Sequence, residues 1–238
     1  PIVVGVPLQG VDDCAGGLVY DDGGFENGGS GNPDTITDVQ LTHQITPTFY
    51  PATLTTVCIA FTQNSGNTAL ILDIEFYDDD GVGGSPGTLL GTVPAQIMGV
   101  PAFPSGQFYA FDVTSAALNI TDGSVFVGGR WNPAAPQNGI FLMFDQSVNT
   151  PLNPGFFQAN QGGWQVMTDV FPQYRALSVR AIEAPTGPTL LVQSGNAVIT
   201  DTCSLNPGQE NNVIEPGETV NITVPIAAAN GDFNNVVV

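Results

Sequence analysis

The sequence predicts an all-β protein: an antiparallel two-sheet sandwich of jelly-roll type, followed by part of a second β-domain. Three observations predict it. Short apolar runs recur with a two-residue period, the signature of half-buried strands. Turn-forming dipeptides separate them at antiparallel spacing. With 29 Gly and 19 Pro spread over 238 residues, long helices have almost nowhere to sit, and no 11-residue window shows a helical stripe with caps at both ends.

The elements follow in order. Val39–Ile45 is a strand-like stretch that carries the only histidine, His43, expected on a sheet surface. Residues 55–62 (TTVCIAFT) form a β-rich run. Residues 69–77 alternate cleanly, with Leu70, Leu72, Ile74 and Phe76 on one face and Asp73, Glu75 and Tyr77 on the other. Residues 107–113, 124–131, 139–145 and 174–182 read the same way. Strand order is not legible from the pattern.

A boundary is expected at 183–189, where two prolines and a glycine in seven residues make an extended linker. The first domain therefore spans 1–182. Residues 190–238 hold too few strand-like runs for a closed immunoglobulin-like sandwich, which needs about seven, and read as a partial domain. The opening Pro1-Ile2-Val3-Val4 fits removal of a signal peptide or longer precursor.

Charge narrows function more than any motif. There are 22 acidic residues against 3 basic ones, no lysine, and a formal charge of −19. Phosphate backbones and anionic lipid are repelled, so nucleic acid is an improbable partner. No run approaches the roughly 20 apolar residues of a membrane-spanning helix, so membrane insertion is not expected. Hydrophobic residues at 42% argue against disorder.

Cys14, Cys58 and Cys203 allow one disulfide and one leftover thiol. Cys203 lies beyond the boundary, which leaves Cys14 and Cys58 as the expected pair. Three buried, reduced cysteines are the alternative.

Residues 18–27 (LVYDDGGFEN), 50–60 (YPATLTTVCIA), 75–90 (EFYDDDGVGGSPGTLL) and 123–132 (GSVFVGGRWN) resemble a lectin-like β-sandwich module of large secreted bacterial proteins. Such modules accompany peptidases and adhesins as accessory or binding units. The tail at 212–224 (NVIEPGETVNITV) resembles the opening of Ig-like repeats in the same proteins, which implies architecture and no chemistry. A secreted or cell-surface location follows from the resemblance.

Asp78, Asp79 and Asp80, followed by Gly81, form the densest carboxylate cluster, and two readings stand: a Ca²⁺ loop or a solvated hairpin tip. Asp12-Asp13, Asp21-Asp22 and the oxygen-rich loop of Asp201, Asn206, Glu210, Asn211, Asn212 and Glu215 are weaker versions of the same choice. Asn119-Ile120-Thr121 and Asn221-Ile222-Thr223 fit the N-glycosylation pattern, a coincidence if the source is bacterial, as the resemblance implies.

Aromatic residues offer the best binding cue. Trp131, Phe141, Phe144, Phe156, Phe157 and Trp164 fall among Asn132, Gln137, Asn138, Gln158, Asn160 and Gln161. A ring stacks on the C–H face of a sugar while amides bond its hydroxyls. Trp131, Phe157, Asn160 and Trp164 are the candidate ligand-binding residues; a core role is the competing reading for each ring. His43 lies near no nucleophile motif, and no His/Cys spacing suits zinc. The expected function is a non-enzymatic extracellular module for adhesion, carbohydrate binding or structural assembly. The alternatives are a self-assembling filament or surface-layer subunit that binds other copies of itself through its C-terminal strands, and an accessory domain of a secreted hydrolase.

Overall fold

The computed structural model describes residue 10, residues 12–186, and the segments 191–193, 198–201, 220–223 and 226–228. The chain divides into two units, Pro1–Ala184 and Pro185–Val238. The first holds β1 (Asn27–Gly29), β2 (Val39–Ile45), β3 (Ala52–Gln63), β4 (Ala69–Asp78), β5 (Leu89–Met98), β6 (Gln107–Asp112), β7 (Val125–Trp131), β8 (Ile140–Asp145), β9 (Gly155–Ala159), β10 (Gln165–Val166), β11 (Ala176–Leu177) and most of β12 (Val179–Pro185). One helical turn, α1 (Met167–Val170), and one 3-10 turn (Thr114–Ala116) interrupt them.

Two six-stranded antiparallel sheets result. One runs β10-β9-β2-β7-β4-β5; the other runs β1-β8-β3-β12, with β11 on β8 and β6 on β3. Side-chain alternation explains the core between them. Val39, Leu41 and Ile45, Leu70, Leu72, Ile74 and Phe76, and Val125 and Val127 from the first sheet join Val57, Ile59, Phe61, Leu142 and Phe144 from the second. Each of these side chains is buried, and dispersion plus lost apolar hydration supplies most of the driving force.

The run around Cys58 is continuously apolar because both faces of β3 are covered. Its outward Cys58 and Ala60 lie in a second small core with Cys14, Phe108 and Met143, against which Phe25 packs. A disulfide joins Cys14 to Cys58 and ties the N-terminal segment across this sheet.

Three expectations need correcting. β5 escaped the pattern because Gly91 and Pro94 interrupt it; Pro94 is tolerated because β5 pairs only with β4 and is a sheet edge. Glu183, Ala184 and Pro185 are not linker but the end of β12, and Glu183 accepts from the Thr48 N–H at 2.9 Å. His43 is not on a sheet surface. It shares the inward side of β2 with Leu41 and Ile45, is fully buried, and meets the Tyr20 ring edge-on at 5.5 Å.

In the second unit β13 (Leu191–Gln193) pairs with β16 (Ile226–Ala228), and β14 (Val198–Asp201) pairs with β15 (Val220–Thr223), all antiparallel. Cys203, the loop from Asn206 to Glu215 and the terminal Phe233–Val238 run lie outside the described residues.

Candidate functional site

The predicted binding aromatics are mostly structural. Trp131 is 3% exposed and packs edge-on against Phe61 in the core. Phe157 is buried beside Phe171, and its neighbour Phe156, on the opposite face, is buried against Phe126 at 5.2 Å. Adjacent strand residues do point opposite ways, but here both sides are covered, so both rings are largely buried. Asn160 is exposed, yet its amide is used within the chain: Oδ1 accepts from the Thr37 N–H and Nδ2 donates to the Thr35 carbonyl, at 2.9 and 3.0 Å. Trp164 is half-buried, edge-on to Tyr77 at 5.4 Å.

Asp78, Asp79 and Asp80 do not converge on one point. Asp78 Oδ1 accepts from the Asp79 N–H, Asp79 Oδ2 reaches the Ser124 N–H at 3.0 Å, and Asp80 accepts from the Thr88 N–H and hydroxyl at 2.6 and 2.7 Å. The Thr88 bonds hold the Asp80 carboxyl below the usual carboxylate range. This is a hairpin tip stapled by its own acids, with Gly83 and Gly84 at positive φ making the turn. Carboxylate oxygens do come within 4.8 Å of one another elsewhere, at Asp22, Glu26 and Asp145. There the chain itself donates: Asp145 accepts from the Asp22 and Ser147 N–H groups and the Thr150 hydroxyl, and Glu26 from the Gln146 N–H.

On the outward face of the first sheet, Arg130 donates through Nε and Nη2 to both Asp38 oxygens, at 2.8 and 2.7 Å, and through Nη1 to Glu75 at 3.2 Å. Glu75, nearly fully buried, also accepts from Gln40 at 2.8 Å and from the Tyr77 hydroxyl at 2.6 Å. Burial and that bond push Tyr77 up to about 12. Asp73, on the same face, is raised by burial and by Glu75, an effect eased by Arg130. This network borders a hollow with Thr37, Asn132 and Gln137, but its only cation is already shared between two carboxylates.

A different hollow combines an exposed ring with free amides. It measures about 210 Å³ and is lined by Asn27, Gly28, Thr62, Asn64, Phe103 and Phe141. Thr62 of β3 lies directly opposite Phe141 of β8, both on the outward face. The 101–105 loop is laid beside the end of β3 by the Gln63 N–H to Pro101 and the Phe103 N–H to Gln63 carbonyl bonds, both 2.9 Å. The Thr62 hydroxyl donates to the Ser105 carbonyl at 2.8 Å. Phe103 is thereby held 51% exposed. Gly28 is required at the floor, because a Cβ there would stand 2.8 Å from the Phe141 Cβ.

Asn27 Oδ1 accepts from the Gly28 N–H, and neither Asn27 Nδ2 nor the Asn64 side chain bonds to any of the described residues. Neither carries charge. Phe141 was among the aromatic candidates of the sequence; Phe103, Asn27 and Asn64 were not, because the strand pairing that gathers them is invisible to local pattern.

No protein-family model matches this sequence, and no curated protein does. Among solved structures the chain is similar to the cysteine protease and lectin-like domains of a surface layer associated protein of Clostridium difficile, with a TM-score of 0.46 and 10% identity, over 63% of this chain and 32% of that one. The chain spans about a third of that structure's length. At that level the likeness identifies neither a shared site nor a shared ligand.

Proposed function

We propose that this chain is a non-enzymatic extracellular or cell-surface module that binds carbohydrate in the Phe103–Phe141 hollow. The observation that carries the reading is one exposed ring beside one half-buried ring, flanked by two asparagine side chains with unspent hydrogen-bonding groups. A flat ring offers its face to sugar C–H groups, and amides exchange bonds with hydroxyls as water does. Acid–base chemistry finds few parts among the described residues: His43 is buried and held neutral, and Glu75 is satisfied by three donors.

Glycan-array binding followed by titration calorimetry tests the reading. Phe103→Ala should weaken binding about tenfold, the equivalent of about 1.4 kcal/mol of lost stacking, without altering the melting temperature, since the ring is half in solvent already. Unchanged glycan binding in both Phe103→Ala and Asn64→Ala would place the sugar elsewhere and reject this hollow.

A further inference from the structure

Resting on that reading, we infer that the Phe103–Phe141 hollow takes a single neutral pyranose unit, presented as a chain end or side branch, and discriminates against acidic sugars. Size is the first argument. The hollow's about 210 Å³ lies below the roughly 300–1,000 Å³ of pockets that enclose drug-sized ligands, so it admits one ring and not a run of them. Its walls are separate from those of two other hollows. The hollows beside Arg130 and beside Asn67 share Ile71, Pro136 and Gln137 and so run together, whereas this one has no wall residue in common with either.

Charge is the second argument. No wall side chain is ionisable. Arg130 is tied to Asp38 and Glu75, Arg180 to Asp21 and Asp13, and Arg175 lines a different hollow, so none of the three arginines stands in this wall to meet a carboxylate or sulfate. A protein of formal charge −19 repels such ligands at long range as well. The third argument is the hydrogen-bond inventory. Asn27 Nδ2 and both ends of the Asn64 amide bond to none of the described residues, whereas Thr62, 1% exposed, spends its hydroxyl proton on the Ser105 carbonyl within the wall. Two uncharged amides can exchange bonds with sugar hydroxyls and bring no positive charge to an anion.

The experiment is calorimetric titration of the whole protein with methyl glycosides of neutral hexoses and N-acetylhexosamines, with their di- to tetrasaccharides, and with glucuronic acid and a sulfated polysaccharide. The inference expects a neutral glycoside to bind with an affinity that changes less than about threefold with chain length, that is unaltered by salt between about 50 and 500 mM, and that falls about tenfold in Phe103→Ala. A tenfold or greater gain with chain length, or acidic sugars that bind and are released by salt, would overturn it while leaving carbohydrate binding intact. Failure of every sugar to bind the wild-type chain would instead overturn the carbohydrate reading itself, and the inference with it.

Discussion

Arg180 grips Asp21 in a two-pronged bond inside the protein: Nε–H donates to Oδ2 at 2.9 Å and Nη2–H to Oδ1 at 2.6 Å. Both residues are buried, and the guanidinium carbon lies 4.3 Å from the Phe108 ring centroid. Parallel bonds between ions away from water are short and directional, but each ion has given up its hydration to make them. Removing the Asp21 charge leaves the buried guanidinium only the exposed Asp13 carboxylate, 3.5 Å away. Asp21→Asn should therefore cost about 3–5 kcal/mol in urea unfolding, and adding Arg180→Met should restore much of that loss. Simple addition of the two single losses would show that the pair is not coupled.

A second consequence concerns acid. His43 is fully buried, and loss of hydration lowers its pKa from 6.5 to about 4, against the pull of Asp21 and the Val179 carbonyl. The Asn153 amide nitrogen lies 3.0 Å from Nδ1. Because the folded pKa is depressed, the unfolded chain binds the proton first as pH falls. Stability is thus whole above pH 6.5 and drains away down to about pH 4, by roughly 3 kcal/mol for this group. Urea midpoints for the wild type and His43→Gln should diverge across that window. Parallel curves would refute the assignment.

The disulfide closes a separation of 44 residues between Cys14 and Cys58. In the chain-entropy description such a loop contributes about 4 kcal/mol by restricting the unfolded chain. Reductant should lower the melting temperature of the first unit, and non-reducing peptide mapping should recover the two cysteines in one linked species. Recovery of Cys203 in that species would contradict the pairing.

Glycine is demanded at one strand position and indifferent at another. In β7, a Cβ on Gly128 would fall 1.8 Å from the Leu41 carbonyl oxygen of β2, a backbone atom that cannot turn aside. Gly163, in the loop before Trp164, has nothing within 4 Å. Gly128→Ala should therefore yield little folded protein or cost several kcal/mol, on the scale of about 3 or more, while Gly163→Ala should lie within about 0.5 kcal/mol of wild type. Equal midpoints for the two variants would show that β2 and β7 can part without loss.

By itself the sequence determined what local physics controls. The alternation of Leu70, Leu72, Ile74 and Phe76 specified both a strand and its inward face, since side chains on a pleated backbone must alternate. The turn at Asp78–Gly87 was legible too, because glycine and short acids bond their own backbone within a few residues. Only the tertiary structure decided which rings meet water. Trp131 and Phe157, beside amides in the sequence, fall where layers cover both sides, while Phe103, among prolines, sits on a loop beside the end of β3. Likewise His43 is buried because Tyr20 and Asn153, 23 positions before it and 110 after, close over it. Burial is a property of long-range pairing, and one strand's pattern holds no record of what the rest of the chain lays upon it.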